Sequence, residues 1–267
     1  MLMLTGGNQT ATWIRDMWHH LAVTECISKA FGLPLKVLGR NGEVGYVNIQ
    51  LGPDGVNGVY KLGETPSAPL EIEAASIPQD DFSMIDSWHR DSTQVVVVVM
   101  LSDTSTMVGG ETAIRTGDGR ILKARGGKMG SAVVMQGCHV QHAALRSSNA
   151  AERISMVTSY SFADPDLDDS GTSLRSMTPE KHDIKFIHQH FLLHKLERLR
   201  ARIDKAIEKV KAGNVNDEDV KREDVEPWVE EQIMFLKQTS WELFERYPNY
   251  FTKDLPKGVV QRYLTHV

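Results

Sequence analysis

His89 and Asp91 stand two residues apart, and His142 follows fifty-one residues after the aspartate. Side chains at i and i+2 of an extended segment project to the same face. His89 and Asp91 therefore point at one place while Arg90 turns away, and any third group meeting them there must arrive on another strand. A chain that brings His142 to that place has to run out through several strands and return. Two imidazoles and one carboxylate, with open positions opposite them, are the ligand set of a mononuclear non-haem iron(II) centre. Eleven residues past His142 comes Arg153, with Ser155 at +2. On a strand these two also share a face, and a guanidinium fork matches a carboxylate with two parallel hydrogen bonds. A lone His-x-Asp means little; the five positions together predict a β-rich fold that gathers His89, Asp91 and His142 around iron. Arg153 and Ser155 would clamp a dicarboxylate beside it.

The rest of the first 165 residues reads the same way. Strands are predicted at 43–51, 94–101, 110–116, 120–124, 131–136 and 153–162. Turns fall at Gly52-Pro53-Asp54-Gly55 and Gly117-Asp118-Gly119, and 56–62 is expected to pair back as a hairpin. Val95 to Leu101, the longest purely apolar run, suits a buried strand and is far too short to span a bilayer. Many short strands with glycine-rich turns suggest a β-sandwich or jelly roll. A helix over 10–31 precedes them, on Trp13, Met17 and Leu21 at spacings of four, and stops at Gly32-Leu33-Pro34.

Composition changes near residue 165, giving a β domain with its N-terminal helix over 1–165 and a helical extension over 166–267. The boundary segment, Asp164 to Gly171, is acidic and reads as a linker. Two helices are predicted beyond it. The first covers 184–211, with Ile187, Phe191, Leu192, His194 or Lys195, Leu196, Leu199, Ile203 and Ile207 as its stripe and Gly213-Asn214 as its stop. The second covers 225–246, with Trp228, Ile233, Phe235, Leu236, Trp241 and Phe244. Apolar residues around so much of a helix imply burial, against the β domain or in a homodimer through these C-terminal helices.

At the residue level the chain resembles a known group. The stretches Trp88-His89-Arg90-Asp91-Ser92, Gly109-Gly110-Glu111-Thr112 and Glu152-Arg153-Ile154-Ser155 resemble the Fe(II)/2-oxoglutarate-dependent dioxygenase superfamily, and within it a group found in filamentous fungi. The resemblance covers roughly residues 40–162. It implies a double-stranded β-helix, a jelly-roll, cupin-like fold. It implies iron ligands at His89, Asp91 and His142, and a 2-oxoglutarate anchor at Arg153 with Ser155 assisting. His142 is preferred over His139 because its distance to Arg153 is nearer the usual spacing, and His139 stays as the alternative. With O2, such an enzyme converts 2-oxoglutarate to succinate and CO2 and oxidises an unactivated C–H bond by hydroxylation, desaturation or ring formation. A small organic substrate, of the kind met in specialised metabolism, is what the resemblance implies. Asp91 also argues against a halogenase, in which that carboxylate position is vacant. Two alternatives stay open: a catalytically silent β-helix module that binds a partner, which the intact triad argues against, and a cupin-type metal enzyme without 2-oxoglutarate, which Arg153 and Ser155 argue against.

Other classes are excluded more simply. A net charge of −5 gives no sign of a nucleic-acid partner. No apolar run is long enough for a membrane span, and the N-terminus lacks a basic region, so no signal peptide is expected. Cys26 and Cys138 fit neither a disulfide framework nor a zinc motif, which points to a reducing, cytoplasmic setting. His89-Arg90-Asp91 is not a kinase catalytic loop, because the required Asn position holds Val96. His182, His188, His190 and His194 read as surface or helix-packing histidines. Tyr46 and Asn48, facing one way on an early strand, are candidates for lining the pocket.

Overall fold

The computed structural model describes residues 2–39, 44–51, 84–124, 127–150, 152–174, 184–215 and 219–244. The chain divides into two units, residues 1–161 and 162–267. The predicted hairpin at 56–62 and the chain beyond 244 lie outside the described residues.

The first unit contains β1 (Leu2–Leu4), α1 (Gly7–Thr10), α2 (Thr12–His19), α3 (Leu21–Phe31), β2 (Leu35–Leu38) and β3 (Tyr46–Leu51). It continues with β4 (Val95–Met100), β5 (Thr112–Arg115), β6 (Ile121–Ala124), β7 (Ala132–Met135), β8 (His142–Ala144) and β9 (Glu152–Phe162). These strands form two sheets. The larger has the order β1-β3-β9-β4-β7, with β2 also pairing β9; the smaller has the order β6-β5-β8. Isolated bridges from Met84 to Leu145 and from His89 to His142 carry the segment 84–89 along the free side of β8.

Register decides which side chains meet. Tyr46, Asn48 and Gln50 on β3 stand opposite Val157, Ser155 and Arg153 on β9. Met100, Val98 and Val96 on β4 stand opposite Ser155, Val157 and Ser159. Directly opposed residues share a face, so one face of the larger sheet has a polar end (Asn48, Gln50, Arg153, Ser155) and an apolar end. At the apolar end Val96, Met135 and Val157 form a buried cluster with Tyr46 and Val98 packed on it. The opposite face carries Met156 and Tyr160, and Trp18 of α2 covers it. The Trp18 indole N–H lies 3.3 Å from Met156 Sδ, and its ring meets Tyr160 edge-on at 6.3 Å. With both faces covered, β4 is a run of valines without polar alternation, as a central strand should be.

The N-terminal helix departs from its sequence reading. It is two helices, broken at His20, whose backbone is extended (φ −64°, ψ 132°) and whose Nδ1 accepts the Ala22 N–H at 3.2 Å to cap α3. The buried positions are Ile14, Trp18 and Ile27, while Trp13, Met17 and Leu21 are exposed. Trp13, Met17 and Leu21 recur at spacing four, but so do Ile14 and Trp18, and packing on Met156 and Tyr160 selects the face that carries Trp18. Three short strands, β1, β2 and β8, had no periodic signal long enough to announce them.

The second unit contains α4 (Ile184–Val215) and α5 (Arg222–Phe244). The first runs through the expected stop at Gly213-Asn214. Its buried line is Phe191, Lys195, Arg198 and Arg202, while Leu192, Leu196, Ile203 and Ile207 are exposed. The boundary segment is not a loose linker: Asp169, Ser170, Thr172, Ser173 and Leu174 are buried. Lys195 Nζ donates to Asp169 Oδ2 at 2.5 Å and to the Asp169 carbonyl at 3.0 Å. Arg198 donates to the carbonyls of Asp164 and Leu167, and Arg202 to that of Pro165. The acidic segment is thus fastened to α4 by three long cations. No helix among the described residues is long and apolar enough to cross a membrane.

Candidate metal centre

His89 and His142 are a hydrogen-bonded antiparallel pair. Each backbone N–H donates to the other's carbonyl at 3.0 Å, so both side chains leave the same side of the smaller sheet. Their ring centroids lie 4.4 Å apart. Asp91, two residues on, is tied to a different part of the fold: its N–H donates to the carbonyl of Gly137, just past β7, at 2.9 Å. One carboxylate is thereby set against two imidazoles. His142 Nε2 lies 3.5 Å from Asp91 Oδ2, and His89 Nε2 lies 3.8 Å from Asp91 Oδ1. One ligand atom from each of the three falls within 4.8 Å of the others; among the described residues no other group of His, Cys, Asp and Glu meets that condition.

Three details test whether this cluster suits a metal. First, His89 Nδ1 lies 2.8 Å from the Ser87 carbonyl, and His142 Nδ1 lies 2.9 Å from the Val140 carbonyl. A carbonyl only accepts, so each Nδ1 donates a proton there, which leaves each Nε2 as the ring atom that faces Asp91 and can bind a metal, the arrangement that orients metal-binding histidines. Second, Asp91 Oδ2 is buried and has no hydrogen-bond partner. Burial pushes the Asp91 carboxyl up from its ordinary range, against the pull of His142 and His89; a cation at this point would satisfy that oxygen. Third, Gly137 leaves the room the carboxylate occupies. A Cβ built there would stand 2.8 Å from Asp91 Cβ and 2.9 Å from its Cγ, closer than side chains can approach. The residues present fit a divalent metal with nitrogen and oxygen ligands.

Arg153 and Ser155 emerge from β9 on the polar end of the same sheet face and are both buried. Arg153 Nε donates to the Gly110 carbonyl at 2.8 Å, and its Nη1 lies 3.4 Å from Ser155 Oγ. Gly110 directly precedes Glu111 and β5 of the smaller sheet, so the guanidinium spans the space between the sheets. Gly110 has φ 76°, and a Cβ there would strike Met107 Sδ and crowd Arg153 Cδ at 3.3 Å, which accounts for glycine at that position.

The neighbours sort themselves by pleat. Arg90 points away from the cluster and donates to the His139 carbonyl at 3.2 Å; His139 is exposed and is not in the cluster. Trp88 also turns away, beneath the Arg115 guanidinium at 4.7 Å. In the second unit His194 Nε2 lies 3.2 Å from Asp169, and His190 stacks on Phe186 with centroids 3.9 Å apart. The residues that sequence reasoning missed are Gly137 and Gln50. Gln136-Gly137 reads as an ordinary turn, and Gln50 as one polar residue on a strand; only register places them beside Asp91 and Arg153.

No family model and no curated protein matches the sequence. Among solved structures, the chain is similar to a 2OG-Fe(II) oxygenase family oxidoreductase from Burkholderia pseudomallei. The two are 18% identical, over 57% of each chain, with a TM-score of 0.37. It is similar to a prolyl 4-hydroxylase from Phytophthora capsici at 11% identity, over 97% of this chain and 75% of that one, with a TM-score of 0.37. It is also similar to a cupin domain from Bordetella pertussis Tohama I at 21% identity, over 28% of this chain and 66% of that one, with a TM-score of 0.19. The chain thus spans a little over half the length of the Burkholderia protein.

Proposed function

We propose that this chain is a mononuclear non-haem iron(II) dioxygenase that uses 2-oxoglutarate and O2 to oxidise an unactivated C–H bond of a small organic substrate. The observation that carries the reading is the tautomer lock. Two Nε2 atoms and a carboxylate oxygen without a hydrogen-bond partner converge on one point, with a buried arginine on the facing sheet. His89, Asp91 and His142 would hold the iron on one side and leave the opposite side open. Arg153, with Ser155 beside it, would hold the far carboxylate of the keto acid. When bound, the iron supplies activation of O2, one oxygen atom leaving in succinate and the other going to the substrate oxidation, with CO2 released.

The chain's own contribution is positional. Backbone pairing of His89 with His142 fixes two ligands before any metal arrives, and the Asp91–Gly137 bond fixes the third. The two sheets are read as the walls of a double-stranded β-helix. That reading is supported by the strand order β3-β9-β4-β7 on one side and 84–89, β8, β5, β6 on the other. The sequence resemblance supports hydroxylation, desaturation or ring formation on a specialised metabolite.

The test is anaerobic titration of the purified protein with Fe(II) and then 2-oxoglutarate. A weak visible charge-transfer band should grow in, and O2 should then release succinate. Absence of both would overturn the proposal. Arg153→Ala should raise the 2-oxoglutarate concentration needed for half-saturation by roughly tenfold or more, as expected for losing a charge-assisted bidentate pair, while Fe(II) binds as before. Loss of Fe(II) binding in that variant would show that Arg153 supports the metal and not the co-substrate.

A further inference from the structure

Gln50 is 3% exposed, yet neither Nε2 nor Oε1 of its side chain has a hydrogen-bond partner. Its strand neighbour Asn48 has a buried Oδ1 in the same condition. Burying an amide without partners is unfavourable, so a strand that carries two such residues is unfinished until something else arrives. Register says where it arrives. Gln50 stands directly opposite Arg153, and Asn48 directly opposite Ser155, on the face that looks toward the smaller sheet. The four side chains form one polar patch at one end of that face.

We infer that Gln50 is a positioning residue for the keto-acid co-substrate, its amide N–H donating to the carboxylate that Arg153 holds. This rests on the 2-oxoglutarate reading above. A carboxylate offers lone pairs on both oxygens, more than one guanidinium fork occupies, and a neutral amide supplies a further donor without a second buried cation. Oε1 then faces the guanidinium across the strand pair, where an N–H of Arg153 or a water satisfies it. Glutamate at this position would set two carboxylates together, whereas glutamine suits an anion.

The experiment compares the full-length Fe(II) protein with Gln50→Leu and Gln50→Glu. Leucine is close in volume and removes the unpartnered amide, so the protein without metal or keto acid should melt no lower than wild type. Its dissociation constant for 2-oxoglutarate should rise roughly ten- to hundredfold, the worth of a hydrogen bond to a charged group. In turnover the KM for 2-oxoglutarate should rise by more than kcat falls. Fe(II) affinity should stay at the wild-type value, and Gln50→Glu should bind the keto acid at least as poorly as Gln50→Leu. Wild-type 2-oxoglutarate affinity in Gln50→Leu would overturn the inference and leave the co-substrate reading standing. So would a lowered melting temperature with lost Fe(II) binding, which would mark Gln50 as structural. A wild-type protein that binds Fe(II) but no 2-oxoglutarate would overturn both.

Discussion

Gly137→Ala is expected to remove iron binding almost as completely as Asp91→Ala or His89→Ala, although the glycine offers no ligand. The Gly137 carbonyl accepts the Asp91 N–H at 2.9 Å, so the two backbones cannot part without losing that bond. At that separation a new methyl group lies 2.8 Å from Asp91 Cβ and against its carboxylate. Relief requires a shift of the Asp91 main chain, because its Cβ is struck as well, together with rotation of the carboxylate, and both take its oxygens away from His89 and His142. Losing a supporting contact around a metal typically costs ten- to hundredfold in affinity, and here a ligand itself is displaced, so a loss of about a hundredfold or more is expected. Far-ultraviolet circular dichroism should stay at wild-type strength, because neither β4 nor β9 is touched. Anaerobic Fe(II) titration makes the check. Wild-type affinity in Gly137→Ala would mean that the loop shifts as a whole and the carboxylate is not confined as described.

Gly137 also shows what the sequence can and cannot disclose. It has no left-handed backbone to mark it; its role comes only from the long-range backbone hydrogen bond that sets it beside Asp91. The pattern of the proposed metal centre was legible because it rests on a local rule: residues i and i+2 share a face, for His89 and Asp91 and again for Arg153 and Ser155. A continuous apolar run gives the strand at 95–100, and short runs between glycine turns give those at 112–115, 121–124 and 132–135, close to where they form. Long-range pairing has no such rule. The contacts between His89 and His142, Gln50 and Arg153, and Trp18 and Met156 depend on register between segments far apart in the chain.

The helices were legible as helices but not in orientation. On α4 a three-to-four-residue period fits both Leu192, Leu196, Ile203 and Phe191, Lys195, Arg198, Arg202. Hydrophobicity favours the first set for the interior, and the structure buries the second. The buried acidic segment decides the matter, because Asp169 and the carbonyls of Asp164, Pro165 and Leu167 need donors that leucines cannot give. Long cationic side chains bury their stems and deliver their heads to those acceptors. Lys195 packs over Phe191 and Phe235, and Arg202 over Phe235 at 4.6 Å.

Lys195→Met should therefore destabilise the protein by about 3–5 kcal/mol, the usual cost of stranding one member of a buried ion pair. Asp169 would keep His194 at 3.2 Å and the Thr172 hydroxyl at 2.9 Å, but lose its closest cation. The double variant Asp169→Leu with Lys195→Met removes both charges and should recover much of the loss. Denaturant unfolding of the full chain, followed by helical ellipticity, measures all three differences. Acidity supplies an independent check. Burial works to raise the Asp169 carboxyl, but Lys195, His194 and Arg198 outweigh it and hold the group well below the ordinary carboxylate range. A carboxyl depressed on folding contributes stability that is fully present above its unfolded pKa of about 3.9 and is lost as the pH falls below it. The gap between wild type and Lys195→Met should accordingly narrow as the pH is lowered through that value. A gap that stays constant down to strong acid would mean that Lys195 acts through its packing on Phe191 and Phe235, with its charge contributing nothing.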